Sequence, residues 1–130
     1  RCGPDEVRVA RRILEWGQGN ASRVWWGKGR KDGAFIPTVD TSHGSHWAVT
    51  IWTYGKAEIQ FQWMALRPPF DDPALRLELV RRLNATPGIS IPEDAIERRP
   101  SFALSAIAEE PRTEEFLQVL EWHRQQVLNK

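Results

Sequence analysis

Residues Trp47 to Met64 read WAVTIWTYGKAEIQFQWM. Two runs rich in Val, Ile, Thr, Trp and Phe meet at one glycine, which is the composition and punctuation of a β-hairpin. With Tyr54, Gly55 and Lys56 as the turn and Gly55 in the left-handed conformation open to glycine, Thr53 faces Ala57, Ile51 faces Ile59, Val49 faces Phe61 and Trp47 faces Trp63. One face is then almost wholly apolar, and Trp47, Val49, Ile51, Ile59, Phe61 and Trp63 are expected to be buried together. The other face carries His46, Ala48, Thr50 and Trp52 against Met64, Gln62, Gln60 and Glu58. A slip of one residue would mix the two sets, so the alternation itself specifies the pairing.

Upstream of this hairpin, Pro4 fits a first helical turn, Asp5 and Glu6 suit the positive end of the helix dipole, and Val7, Ala10, Ile13 and Leu14 recur on one side. The pattern predicts a helix ending near Gly17 or Gly19. A short strand through Arg23, Val24, Trp25 and Trp26 then runs into a glycine-rich loop holding Lys28, Arg30 and Lys31. Ala34 to Val39 reads as a further strand, with Pro37 requiring an edge or a bulge because it cannot donate to a ladder. The polar link from Asp40 to Ser45 returns the chain to the hairpin.

Downstream, Arg67-Pro68-Pro69-Phe70 is an extended connector. Asp71 or Asp72 caps a second helix that starts at Pro73, carries the stripe Leu75, Leu79, Val80 and Leu83, and stops between Asn84 and Gly88. Ile89 to Pro100 shows no period, Ser101 to Ile107 alternates as a short strand, and from about Thr113 the spacing of Phe116, Leu120, His123 and Val127 predicts a final helix. The order αβββαβα implies an α+β fold: a mostly antiparallel sheet built on the central hairpin, its apolar face covered by helices and its second face partly open.

A chain of 130 residues with 41% apolar content is one domain with one core. A start at Arg1-Cys2-Gly3-Pro4, without Met, points to a single domain over residues 1–130 that is part of a longer protein, whose other domains are then candidate partners. The net charge of +1 implies no whole-molecule attraction to nucleic acid or membrane, so any basic site must be local. One cysteine, Cys2, excludes an internal disulfide, and no apolar run reaches the roughly 20 residues of a membrane helix, so a cytoplasmic setting is expected.

The residues Trp25-Trp26-Gly27-Lys28-Gly29, Trp52-Thr53-Tyr54-Gly55, Glu58-Ile59-Gln60-Phe61-Gln62 and Arg67-Pro68-Pro69-Phe70-Asp71-Asp72 resemble the signature of an uncharacterised bacterial domain family. The likeness covers most of the chain; it implies a recurrent bacterial intracellular module and transfers no catalytic residue. The element order αβββαβ also resembles the core of the PD-(D/E)xK nucleases, where acidic residues on adjacent strands and an acid-x-Lys pair hold a divalent metal over the phosphate. That resemblance implies Asp40, Glu58 and Gln60 as the parts and Mg²⁺ as the cofactor. Position 60 is Gln where the motif has Lys, as in some nucleases of that superfamily, and Asp40 is followed by Thr-Ser-His, so neither half of the motif is clean.

The most informative local feature is Arg23, Trp25, Trp26, Lys28, Arg30 and Lys31, where cations that suit phosphates interleave with flat aromatics that suit bases. The ordinary alternative is that the tryptophans are core and the cations solubilise a loop. Adjacent strand residues point to opposite faces, so Trp25 and Trp26 cannot both enter one core. Thr50, Trp52, Glu58, Gln60 and Gln62 form a polar sheet face that is either a ligand surface or simply solvated. His43 and His46 beside Asp40 lack further ligands for zinc, His123 falls on an apolar stripe as a hydrogen-bonded packing residue, and Cys2 has no histidine nearby in sequence. No metal site is therefore expected outside the nuclease alternative. Three functions follow: a non-catalytic binding module contacting DNA or RNA and needing no cofactor, a metal-dependent nuclease, or a protein-interaction or dimerisation domain with exposed tryptophans at its interface.

Overall fold

The computed structural model describes residues 3–27, 33–42, 44–52 and 54–129. Helix α1 (Pro4–Asn20) is followed by strands β1 (Arg23–Gly27), β2 (Ala34–Thr41), β3 (Gly44–His46), β4 (Val49–Trp52) and β5 (Lys56–Ile59). The short helix α2 (Phe61–Met64), helix α3 (Pro73–Asn84), strand β6 (Ser101–Ala103) and helix α4 (Glu110–Leu128) complete the chain, with one-turn 3₁₀ segments at Glu93–Ala95 and Leu104–Ile107. The fold is α+β, and all its strand pairs are antiparallel, in the order β1-β2-β4-β5-β6 with β3 pairing to the far end of β2. Five strands, rather than three or four, precede α2, because the link after Asp40 itself folds back as β3. Among the described residues no helix is long and apolar enough to cross a membrane.

Alternation divides the sheet cleanly. Phe35, Val39, Val49, Ile51, Ala57 and Ile59 point to the buried side, where Val9 and Ile13 of α1 and Phe116, Leu120 and Val127 of α4 meet them. The stripe of α1 runs through Val9, Ile13 and Gly17, one step round from the expected one, and Val7 is exposed. Helix α3 begins as its sequence dictates. Asp72 accepts from the Ala74 N–H at 2.9 Å, Pro73 occupies the first turn, and Leu79, Val80 and Leu83 are buried. The aperiodic stretch after α3 is held by Asn84, whose side chain donates to the Ile91 carbonyl and accepts the Ile91 N–H at 2.9 and 2.7 Å. Ile89 and Ile91 can thereby be buried without belonging to a helix or strand.

The hairpin register differs from the expected one by two residues: Val49 faces Ile59, Thr50 faces Glu58, Ile51 faces Ala57 and Trp52 faces Lys56. The reason lies in the turn. Gly55 has φ of 102° and donates to the Trp52 carbonyl, and in a three-residue connection the left-handed position comes last rather than in the middle, so Lys56 joins the strand. A shift of two keeps every residue on its expected face. The strand also stops early: Phe61 to Met64 form a helical turn after the Gln60 N–H has bonded to the Ala48 carbonyl. Helical spacing buries Phe61 and Met64 together and leaves Trp63 42% exposed, while Trp47 is half-buried, so two of the six expected core residues belong to the surface.

Candidate functional site

The second face of the sheet is a groove. On β1, Arg23, Trp25 and Gly27 share a face with Thr38, Ile36 and Ala34 of β2, their direct partners. Ala34 pairs with Trp52, and Thr50 with Glu58, so the same face continues across β4 and β5. Trp47, just before β4, and Trp63 of α2 wall this floor. Two cavities of about 430 Å³ each open along it, and both are lined by Trp25, Ile36 and Trp47, so they are lobes of one groove.

The first lobe ends at Arg23, Ser45 and Arg67. Arg23 is already paired, donating from Nε to Asp40 at 2.8 Å, and Ser45 donates to the same carboxylate at 2.7 Å. These bonds hold the Asp40 carboxyl below its ordinary range, the Arg23 hydrogen bond first and the Ser45 hydroxyl second, and the same pairing raises Arg23. Arg67 is different. Its guanidinium packs over Gly44, whose φ of 119° favours glycine and where any Cβ would collide with that guanidinium. Among the described residues the Arg67 guanidinium makes no hydrogen bond or ion pair.

The second lobe is lined by Trp25, Trp47, Trp52 and Trp63, with Arg99 at its edge and Thr50, Glu58 and Gln60 among its walls. Trp52 is also stacked on Tyr54, with ring centroids 5.6 Å apart. Thr50 and Gln60 are only 5% and 3% exposed, so this polar row is a covered floor rather than a solvated face. The Gln60 amide donates to Thr50 Oγ1 at 2.9 Å and to Glu58 Oε1 at 2.8 Å, and Trp52 Nε1 lies 3.4 Å from the same oxygen. Gln62 points away, exposed on α2.

The structure thus brings Arg23, Trp25, Thr50, Trp52, Glu58 and Gln60 to one groove and leaves Trp26 and Gln62 outside it. Trp26 sits on the other face at the sheet edge, 55% exposed and tilted against Phe35 at 5.6 Å. Lys28, Arg30 and Lys31, expected as phosphate contacts, lie outside the described residues, as do Cys2 and His43. Sequence reasoning missed Trp47, Trp63, Arg67 and Arg99. Trp63 follows from the early end of β5, whose only local signal is that Phe61 and Met64 are also spaced for a helix.

Asp40 and Glu58 are not brought together. Continuing the alignment of Ala34 with Trp52 sets Ile36 level with Thr50 and Glu58, and Asp40 lies four residues further along β2. At roughly 3.3 Å per residue this is about 13 Å along the strands, before the offset across them. Each carboxylate has its own local partners. Among the described residues no group of three or more His, Cys, Asp or Glu gathers as metal ligands. His46 is buried, with its Nε2 at 3.2 Å from the Thr41 hydroxyl. His123 is fully buried and stacks on Phe70 at 4.7 Å, and burial pushes its pKa down to about 3, with His46 adding a smaller push. It packs as expected, but its Nε2 has no hydrogen-bond partner among the described residues.

Compared with protein-family models, curated proteins and solved structures, the chain matches none, so its function is argued from the groove itself.

Proposed function

We propose that this domain is a non-catalytic module that binds single-stranded nucleic acid along the open face of its sheet. The observation that carries this reading is the pairing of tryptophan walls with an uncompensated guanidinium near each end of the groove, Arg67 in one lobe and Arg99 in the other. Flat rings offer stacking platforms that accept any base, and cations spaced along the same track neutralise successive phosphates. Trp25, 50% exposed and common to both lobes, is the central platform. The reading keeps Arg23 and Trp25 of the expected contact, adds Arg67, Arg99, Trp47 and Trp63, and drops Trp26.

Fluorescence anisotropy with a mixed-sequence single-stranded oligonucleotide tests it. Binding should be measurable at low salt and weaken as salt rises, and Arg67→Ala should flatten the slope of log affinity against log salt by about 0.7, the counterion term for one phosphate on a single strand. Absence of binding at low salt, where this electrostatic contribution is largest, would remove the reading. Trp26 favours a second, separate use of the molecule: an exposed indole on the edge strand β1 suits a protein interface, and light scattering would report a dimer whatever ligand is added.

A further inference from the structure

We infer that the second lobe selects guanine over the other bases, an inference that rests on the nucleic-acid reading above and sharpens it to a base. Gln60 is 3% exposed and lines the lobe. Its amide orientation is decided by its neighbour: Glu58 Oε1 only accepts, so the atom 2.8 Å away must be the Gln60 nitrogen, and that nitrogen's second hydrogen goes to Thr50 at 2.9 Å. Both amide hydrogens are consumed. What remains is the carbonyl Oε1, which accepts from no described residue and is not sealed from solvent, although most of the side chain that bears it is covered.

Glu58 is in the same condition. Its Oε1 takes the Gln60 hydrogen bond and the longer approach of Trp52, while Oε2 accepts from no described residue. The lobe therefore offers two acceptors on side chains locked to one another, set among indole rings. An acceptor open to the lobe exchanges its water for a donor on the ligand but loses that hydrogen bond when it meets a second acceptor, so a ligand that supplies two donors at once is favoured over one that supplies a donor and an acceptor. On the Watson–Crick edge guanine alone sets two N–H donors side by side, N1–H and the N2 amine. Adenine, cytosine and uracil or thymine each place an acceptor next to their donor, which would face a Glu58 or Gln60 oxygen. Single-stranded bases are read on this edge while stacked on aromatic side chains.

A cationic side chain would also satisfy two acceptors inside an aromatic cage. Arg99 in the same lobe and Arg67 in the next disfavour it, since both are positive and neither is neutralised by a described residue. Phosphates flanking the base meet those same cations favourably. The occupant with complementary charge is thus a nucleotide within a strand, with its guanine over Glu58 and Gln60.

The test is a set of labelled pentanucleotides, uridine throughout except for a central guanine, adenine, cytosine or inosine, with a deoxy series in parallel, measured by anisotropy on the full chain at low salt. The guanine strand should bind tighter than the adenine and cytosine strands by roughly tenfold, the size of one good bidentate base contact. Inosine, which lacks only the N2 amine, should fall between, and the ribose and deoxyribose series should rank alike because the acceptors touch the base. Glu58→Gln replaces an acceptor by a donor and should abolish the preference, whereas Arg67→Ala should weaken all strands by the same factor. Equal affinities for all four central bases would overturn the guanine inference and leave the groove reading standing. A preference that survives Glu58→Gln would overturn the assignment to this pair. No binding by any strand, or binding of a trimethyl-lysine peptide in their place, would overturn both, and the inosine comparison needs no variant that might fail to fold.

Discussion

Acidification should unfold this domain early because the His123 imidazole sits where a proton cannot be accommodated. It is fully buried against Phe70 with Nε2 unpartnered, and its pKa falls from the ordinary 6.5 to about 3. The unfolded chain takes up a proton near pH 6.5 and the folded chain does not until far lower. Between those two values the unfolded state holds one more proton, so stability is full above pH 6.5 and declines as pH falls toward 3. The slope approaches about 1.4 kcal/mol per pH unit, and at pH 5 the accumulated loss is about 2 kcal/mol, a large share of the 5–15 kcal/mol typical of a domain. Carboxylates also titrate in acid, so the contribution must be isolated by substitution. His123→Leu removes the titration at similar volume and gives up no Nε2 hydrogen bond, so at pH 8 it should change stability by less than about 1.5 kcal/mol in either direction. Urea unfolding of both proteins at pH 8, 7, 6 and 5 is the assay. Wild type should lose about 2 kcal/mol more than the variant between pH 8 and 5. Parallel loss in the two proteins would refute the reasoning, since it would mean that His123 accepts its proton without unfolding.

Phe61 is fully buried where β5 gives way to α2, and Phe61→Ala should cost about 3 to 5 kcal/mol in urea unfolding, whereas Trp63→Ala two positions on should cost far less. Trp25→Ala should lower single-strand affinity by roughly 1 to 3 kcal/mol while leaving the melting temperature nearly unchanged, because half the ring is in solvent; a large drop in melting temperature with affinity intact would reassign Trp25 to packing. Gly44→Ala forces a side chain into positive φ and against the Arg67 guanidinium, so it should destabilise by about 1 kcal/mol or more and weaken binding at the first lobe, both measurable on one preparation.

Local chemistry was legible in the sequence. The faces of the sheet follow from alternation through Val49, Ile51 and Ile59, the start of α3 from Asp72 and Pro73, the turn from Gly55, and the buried stripe of α4 from Phe116, Leu120, His123 and Val127. Each rests on a few neighbouring residues whose geometry is settled by the chain itself. Register was not legible, because a shift of two residues leaves every side chain on the same face and alternation is silent about it. The turn decided it, by placing Gly55 last, and tertiary bonds decided where the strand ends. Ile59 and Gln62 donate to the carbonyls of Pro100 and Arg98, which lie some forty residues away in the chain, and those partners end the strand where Phe61 turns into α2. The same holds for the groove. That Arg23 is neutralised by Asp40 while Arg67 is not, and that Glu58 and Gln60 bond to one another beneath tryptophans from β1, β4 and α2, depends on which strands lie side by side. A sequence shows which groups can carry charge or accept a hydrogen; only the packed chain decides which of them are left without a partner.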